Sequence, residues 1–361
     1  MENLDLGKIA MEACEKIEKD TGRVNVLIAG KTGVGKSTLI NSVFHGNMAE
    51  TGQGKPVTQT TKEITKEGIP LSIFDTRGLE TKEYKETLKE LKDFVSKRRN
   101  ESDVNKQIHV AWICITEDSR RVEEAEIELV EMLAAQDIPV IGIITKARAD
   151  NGFKSEVEKL LPKARNIIRV RAIAEILDEG RSLSPMGLEN LVEVTQEVIP
   201  DGRRNAFSAA QKASLKEKVQ RAQIVITSSA TAAAAAGASP IPFSDAALLI
   251  PIEVTMLAGI SKVFGLNLTK GFLGTLVSAM LGSTGATIAG KAIVAALLKA
   301  TGAGEPLGMA ISGTTALTLT TALGELYTGT LTGLFSALKG ATPTYDQIEV
   351  EFKKQLSQKK K

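Results

Sequence analysis

Residues 30–38 read Gly-Lys-Thr-Gly-Val-Gly-Lys-Ser-Thr and follow the apolar run Val24, Val26, Leu27, Ile28 and Ala29. The spacing of Gly30, Gly35, Lys36 and Ser37 fits G-x-x-x-x-G-K-[ST] between a strand and a helix, the setting of a phosphate-binding loop. In such a loop the backbone N–H groups of Lys31, Thr32, Gly33, Val34 and Gly35 turn into one concavity. The following helix N-terminus adds positive potential, and Lys36 brings a mobile charge to the β- and γ-phosphates of a nucleotide. Ser37 is placed to ligate Mg²⁺, and Thr38 is counted with the nucleotide-binding residues.

A second element, Asp75-Thr76-Arg77-Gly78, ends an apolar strand. Asp75 at that position can hold a magnesium-bound water, and the N–H of Gly78 can meet the γ-phosphate. Between the two motifs lies GKPVTQTTKEI. Thr58 is the first choice there for a hydroxyl delivered to the metal by a flexible loop, with Thr60 and Thr61 as rivals. The assigned catalytic set is therefore Lys36, Thr58 and Gly78, and the metal set is Ser37, Thr58 and Asp75. A third element, Thr145-Lys146-Ala147-Arg148-Ala149-Asp150, follows the apolar strand 138–144. It approximates [NT]-K-x-D, in which the lysine stem packs over guanine and the carboxylate accepts from the ring N–H and the exocyclic amine. Here Arg148 holds the fourth position and the acid comes two residues late. Asp150 reaches the base if the loop bulges; otherwise it is a solvated carboxylate at a helix start. Ala172, just past the strand at 167–171, completes the nucleotide-binding set.

Stepping outward, the apolar runs near 23–29, 62–66, 69–74, 107–115, 138–144 and 167–171 predict six strands, and the amphipathic stretches between them predict helices. Tyr84, Leu88, Leu91 and Val95 mark one helical face; Val122, Ile127, Val130 and Ala134 mark another. Ser184 as N-cap, Pro185 at the first helical position and Pro200 as terminator predict a helix over 184–199 that closes the α/β domain. Trp112 reads as a core aromatic, and Arg121 as the partner of Glu124 or Glu128 on its own helix.

Charge density then breaks: of 88 charged residues, 222–338 hold only 8, so a domain boundary falls near 200–221. Residues 222–244, 271–290 and 306–324 are free of charge over lengths close to the roughly 20 needed to span a bilayer. Their content is mostly Ala, Gly, Thr and Ser, which transfers weakly into hydrocarbon and permits close helix approach. The reading is a tightly packed helical domain that touches membranes, with outright insertion as the alternative. The predicted layout is an N-terminal helix (1–20) docking on the helical domain, an α/β domain (21–200), a hydrophobic helical domain (201–345) and a charged tail (346–361). The tail ends in three lysines that can favour an anionic surface. A net charge of +2 argues against nucleic acid as a partner, and the acidic start MENLDLGKIA against a secretory signal, so a cytoplasmic protein is expected. Cys14 and Cys114, with only two histidines, imply neither a disulfide framework nor a zinc site.

The order GKTGVGKST, PVTQT, DTRG, TKAxxD resembles the Era/septin branch of translation-factor-related GTPases. The stretches HVAWICIT, SRRVEEAE and SPIPFSDAALLIPIEVTMLAGI make the whole chain similar to bacterial GTPases carrying an alanine- and glycine-rich helical C-terminal domain of uncharacterised function. The layout also resembles the immunity-related, dynamin-like GTPases, which act on membranes. What the resemblance implies is an α/β P-loop GTPase domain with a mixed, mostly parallel six-stranded sheet plus an all-α hydrophobic domain. It further implies GTP/GDP and Mg²⁺ as cofactors, and a homodimer or higher assembly through the nucleotide face. Leu79 stands where many GTPases have a water-orienting glutamine, so slow intrinsic turnover is expected. Gly33 stands where potassium-activated relatives have asparagine, so no potassium stimulation is expected. A residue such as Lys31 or Arg77, reaching across a dimer, would supply the missing charge. A small-molecule kinase is disfavoured by the lack of an arginine-rich lid; a nucleotide-holding structural protein with little turnover stays open.

Overall fold

The computed structural model describes residues 5–48, 55–56, 61–76, 84–177, 180–237, 245–281 and 313–358. After α1 (Leu6–Thr21) come β1 (Val24–Ala29), α2 (Lys36–Val43), β2 (Lys55–Pro56), β3 (Thr61–Thr65), β4 (Leu71–Thr76) and α3 (Tyr84–Arg99). Next are β5 (Val110–Thr116), α4 (Glu124–Ala134), β6 (Val140–Thr145), α5 (Phe153–Leu160), β7 (Asn166–Arg169) and a ribbon of β8 (Glu175–Ile176) with β9 (Ser182–Leu183). Then follow α6 (Leu188–Val198), α7 (Asp201–Ala210), α8 (Leu215–Gly237), α9 (Asp245–Val263), α10 (Lys270–Leu281), α11 (Gly313–Ala337) and α12 (Tyr345–Gln358). The contacts divide the chain into one unit of residues 21–214 and another of residues 1–20 with 215–361.

In the first unit the sheet order is β2-β3-β4-β1-β5-β6-β7. Strands β4, β1, β5, β6 and β7 run parallel, and β2 and β3 add an antiparallel edge. The six expected strands are all present; the two-residue β2 makes a seventh, too short to leave a periodic trace. Every residue of β1 is buried, as a central parallel strand covered on both faces requires. Its two-residue period sends Val24, Val26 and Ile28 into a core with Leu39, Ile40 and Phe207, and Leu27 and Ala29 into a core with Leu91, Val95 and Leu129. Trp112 on β5 is fully buried. It stacks on Phe44 at 5.5 Å and donates from Nε1 to Thr195 Oγ1 at 3.2 Å.

Beneath β1 the N–H donors of Asn25 are matched with partners, while its Oδ1 is buried without one. Asn25 donates from Nδ2 to the carbonyls of Asn105 (2.7 Å) and Gln107 (2.6 Å), and its backbone N–H donates to His109 Nδ1 at 2.9 Å. With Nδ1 accepting, the ring proton sits on Nε2, facing Val104 O at 3.0 Å. Burial, helped by the nearby Arg203 charge, lowers the His109 pKa to about 4.

Three boundaries differ from expectation. Helix α6 starts at Leu188 rather than after Ser184, because Arg171 and Met186 exchange two backbone hydrogen bonds of 3.0 Å and hold the chain extended. Gly187 makes the turn at φ +78°; a Cβ there would lie 2.0 Å from Arg169 O, so glycine is required. The α/β unit ends at residue 214 rather than 200. Phe207 of α7 meets Phe44 edge-on at 5.8 Å, and Lys212 N donates to Val43 O at 2.7 Å. Finally, Arg121 pairs with Glu123 (3.3 Å), the residue preceding α4, instead of Glu124 or Glu128.

The second unit is all α. Ala10 and Ala13 of α1 share a core with Leu257, Leu273, Leu323, Tyr327 and Phe352. Where α8 and α11 meet, a Cβ on Gly324 would lie 2.5 Å from Ile226 Cγ1, so small residues set the helix separation. The hydroxyls that accompany them bond back along their own helices: Thr227 to Gln223 O, Ser261 to Leu257 O and Thr330 to Leu326 O, at 2.7–2.9 Å. At Ser261 and Thr330, which are fully buried, this local satisfaction lets a hydroxyl enter a dry helical core; Thr227 is exposed. Ser261 also accepts from buried Tyr327 at 2.7 Å. Helix α12 (Tyr345–Gln358) takes in most of the charged tail expected over 346–361, and its Ile348 and Phe352 are fully buried. Among the described residues no helix is long and apolar enough to cross a membrane.

Candidate functional site

The parallel strands deliver their loops to one edge of the sheet, where ligands of open α/β sheets bind. β1 runs into Gly30 at φ +144°, where a Cβ would sit 2.3 Å from Cys114 O. The loop then folds so that Lys36 Nζ donates to Gly30 O at 2.6 Å and Lys31 O at 3.1 Å, spanning the loop. Gly33 and Gly35 take φ +77° and +97°, and a Cβ on either would meet nothing within 4 Å. The loop is thus open on the side its glycines face, and α2 starts behind it with no side-chain cap, as suits an anion at a helix N-terminus. Lys31 pairs with Glu123, and Glu123 with Glu126 forms the capping box of α4.

These residues fit a nucleotide polyphosphate and Mg²⁺. Ser37 lies in the first turn of α2, and Asp75 pairs in register with Ile28, two residues before the loop. Both would hold the ion, which would neutralise charge on the bound phosphates. Lys36 and Asp75 both act electrostatically on Cys114, whose thiol burial pushes to about 12. Among the described residues no cluster of three or more His, Cys, Asp or Glu side chains could hold a metal unaided. Thr58, Thr60, Gly78, Arg77 and Leu79 lie outside the described residues; Thr61 is buried at the start of β3.

Beside the loop is a cavity of about 230 Å³. Its wall brings together Val34, Gly35, Thr38, Thr145, Lys146 and Ala172 of the expected binding residues. Thr145 Oγ1 bonds Val34 O at 2.6 Å, with Ile115 O at 3.2 Å, tying the phosphate loop to β5 and β6. Lys146 takes a left-handed φ of +53°, a strained conformation of the kind found at binding loops. Asp150 is absent from the wall. Its carboxylate accepts from Lys154 N at 2.9 Å at the start of α5 and lies 3.5 Å from Arg169 Nε, so the late spacing turns it toward a helix cap and away from the cavity. Arg148 and Glu175 occupy the wall instead.

Sequence reasoning missed Glu117. At 2 % side-chain exposure it accepts from Arg148 N (2.6 Å), Ala149 N (2.9 Å) and Arg169 Nε (2.7 Å). Burial alone would raise its pKa, but the Arg169 and backbone donors hold it below the ordinary carboxylate value. It fixes the 146–149 loop. The only signal in the sequence is an acid just past the strand 107–115, with nothing local to mark its partners.

Residues 25–146 match a family described as 50S ribosome-binding GTPase, and residues 203–356 match a domain of unknown function, DUF697. The chain is 41% identical over 70 residues to translocase of chloroplast 101 of Physcomitrium patens, covering 19% of this chain and 8% of that one. It is 30% identical over 162 residues to the tRNA modification GTPase MnmE of Clostridioides difficile strain 630, covering 42% and 31%. The matched segments span less than a third of both relatives' length. Among solved structures, a probable GTP-binding protein engB aligns with TM-score 0.30 and 21% identity, over 41% of this chain and 89% of that one.

Proposed function

We propose that this chain, a P-loop GTPase domain followed by a DUF697 domain, is a GTP-binding and GTP-hydrolysing switch. In this reading nucleotide state controls self-association and the packing or membrane contact of the helical unit. The observation that carries it is the open glycine loop with Lys36 across its back, beside a cavity walled by Thr38, Lys146 and Ala172. Lys36 and the loop amides bind the β- and γ-phosphates; Ser37 and Asp75 hold Mg²⁺, which when bound neutralises charge developing on the transferred phosphoryl group. Thr58 and the N–H of Gly78 report the γ-phosphate, and their release after hydrolysis is the two-state element. The resemblance to Era- and septin-like GTPases, and to dynamin-like layouts, supports self-association through the nucleotide face.

Leu79 in place of a water-orienting glutamine makes intrinsic turnover slow, and a second protomer supplying Lys31 or Arg77 restores it. Calorimetry on nucleotide-stripped protein, GTP against ATP with and without Mg²⁺, tests binding. Phosphate release per chain from nanomolar to tens of micromolar protein tests assembly-dependent turnover. No heat with GTP overturns the reading, and binding without release leaves a nucleotide-holding structural protein. Sedimentation with anionic liposomes in GDP and in a non-hydrolysable GTP analogue tests membrane contact.

A further inference from the structure

We propose that the Glu175 carboxylate, gripped by Arg148, is the group that reads the N1–H and exocyclic-amine edge of guanine in this chain; the assignment rests on the nucleotide-binding reading above. The fourth position of the base loop is Arg148, whose guanidinium offers donors only and cannot accept from guanine. Asp150 is committed elsewhere: its carboxylate accepts from Lys154 N and lies beside Arg169, while its backbone carbonyl is held by Arg120. Among the residues of the cavity wall, Glu175 is the sole carboxylate.

Its geometry suits the task. Arg148 donates from Nε to Glu175 Oε2 at 2.9 Å and from a terminal nitrogen to Oε1, a two-pronged grip. A carboxylate has about four acceptor positions. The fork takes two, leaves one on each oxygen, and fixes the plane of the group. Two adjacent N–H donors on one edge of a base match that remaining pair; adenine presents a ring acceptor there instead. The same grip keeps Glu175 ionised by holding its pKa below the ordinary carboxylate value. Arg148 also lies 3.9 Å from Asp118, which anchors it from the side of β5. The carboxylate missing from the base loop is thus replaced by one from β8, 27 residues downstream of Arg148.

The test uses the full chain and competition binding of GDP, IDP, XDP and ADP. IDP lacks the exocyclic amine, so the wild type should favour GDP over IDP by about 10- to 100-fold, the worth of one charge-assisted hydrogen bond. Glu175→Ala should bring that ratio to within about threefold, while thermal melting shows the variant folded; Glu175 is on an exposed ribbon, so folding should be unaffected. Glu175→Gln exchanges one acceptor for a donor and should shift preference toward XDP, whose 2-carbonyl can accept it, by about tenfold or more. Asp150→Asn keeps an acceptor for the helix cap and should leave the GDP to IDP ratio unchanged. An unchanged ratio in both Glu175 variants, or its collapse in Asp150→Asn, overturns the assignment while leaving GTP binding in place. A wild type that does not separate GDP from ADP removes the guanine reading itself.

Discussion

Glu117→Gln is the sharpest probe of how the base loop is built. The substitution keeps shape and one carbonyl oxygen but removes the charge opposite Arg169 and turns a donor toward a group of donors. Removing one member of a buried ion pair costs about 3–5 kcal/mol. Arg169 is 19% exposed and retains Asp150 at 3.5 Å, which places the loss near the lower end, about 3 kcal/mol. Trp112 is the chain's single tryptophan and lies in the core of the unit that holds Glu117, so its fluorescence follows unfolding of that unit. With a urea slope of about 3 kcal/mol/M, the midpoint should fall by about 1 M. The sign with pH follows from the lowered folded pKa of Glu117: its contribution is present above the ordinary carboxylate pKa and is lost as pH falls through the folded value. The gap between wild type and variant should therefore close in acid. A midpoint shift below about 0.3 M at neutral pH, with guanine nucleotide affinity unchanged, would refute the claim that Glu117 organises residues 146–149.

Lys36→Ala should leave melting unchanged and weaken GDP binding by about 100-fold, the upper worth of a hydrogen bond to a charged group, read by calorimetry. His109 is neutral when folded and its pKa is lowered to about 4. Stability should hold above the unfolded pKa of about 6.5 and fall by about 3 kcal/mol as pH drops from there to 4; an imidazole resonance titrating near the ordinary histidine value would refute this. Gly187→Ala places a Cβ against Arg169 O in a left-handed turn and should cost at least about 1–3 kcal/mol, measured by Trp112 fluorescence in urea. Phe352→Ala, removing a fully buried ring 5.1 Å from Tyr327, should cost about 3–5 kcal/mol, seen in helical circular dichroism.

Much of this architecture is legible from local pattern. A central parallel strand has to be apolar on both faces, so β1, β5 and β6 stand out as unbroken runs, and a phosphate loop has to be glycine-rich just after one. What escaped was set at long range. Spacing along the chain leaves Asp150 open to two readings, base contact or helix-start carboxylate, and its bond from Lys154 N fits the second; the course of that loop is dictated by Glu117, 31 and 32 positions away from the amides it fixes. The break in charge density near 200–221 brackets the change of contact at residue 214, but composition alone does not place it within that range; α7 stays with the α/β unit because Phe207 fills the space beside Phe44. Ser184 and Pro185 carry good helix-start chemistry, but the Arg171 to Met186 pairing claims the backbone first. α12 reads as a tail because its outer face is charged, and only the spacing of Ile348 and Phe352 betrays the buried side.

The allegiance of α1 has a consequence for biosynthesis. Its apolar stripe of Ile9, Ala10, Ala13 and Ile17 belongs to a core completed by helices beyond residue 214. At translation speeds of about 5–20 residues per second, the intervening stretch takes roughly 10 to 40 s to emerge. A lone helix of this length is marginal in water. The nascent polypeptide therefore exposes a sticky stripe throughout that interval, and α1, made before the α/β unit, finds its seat only after that unit has emerged.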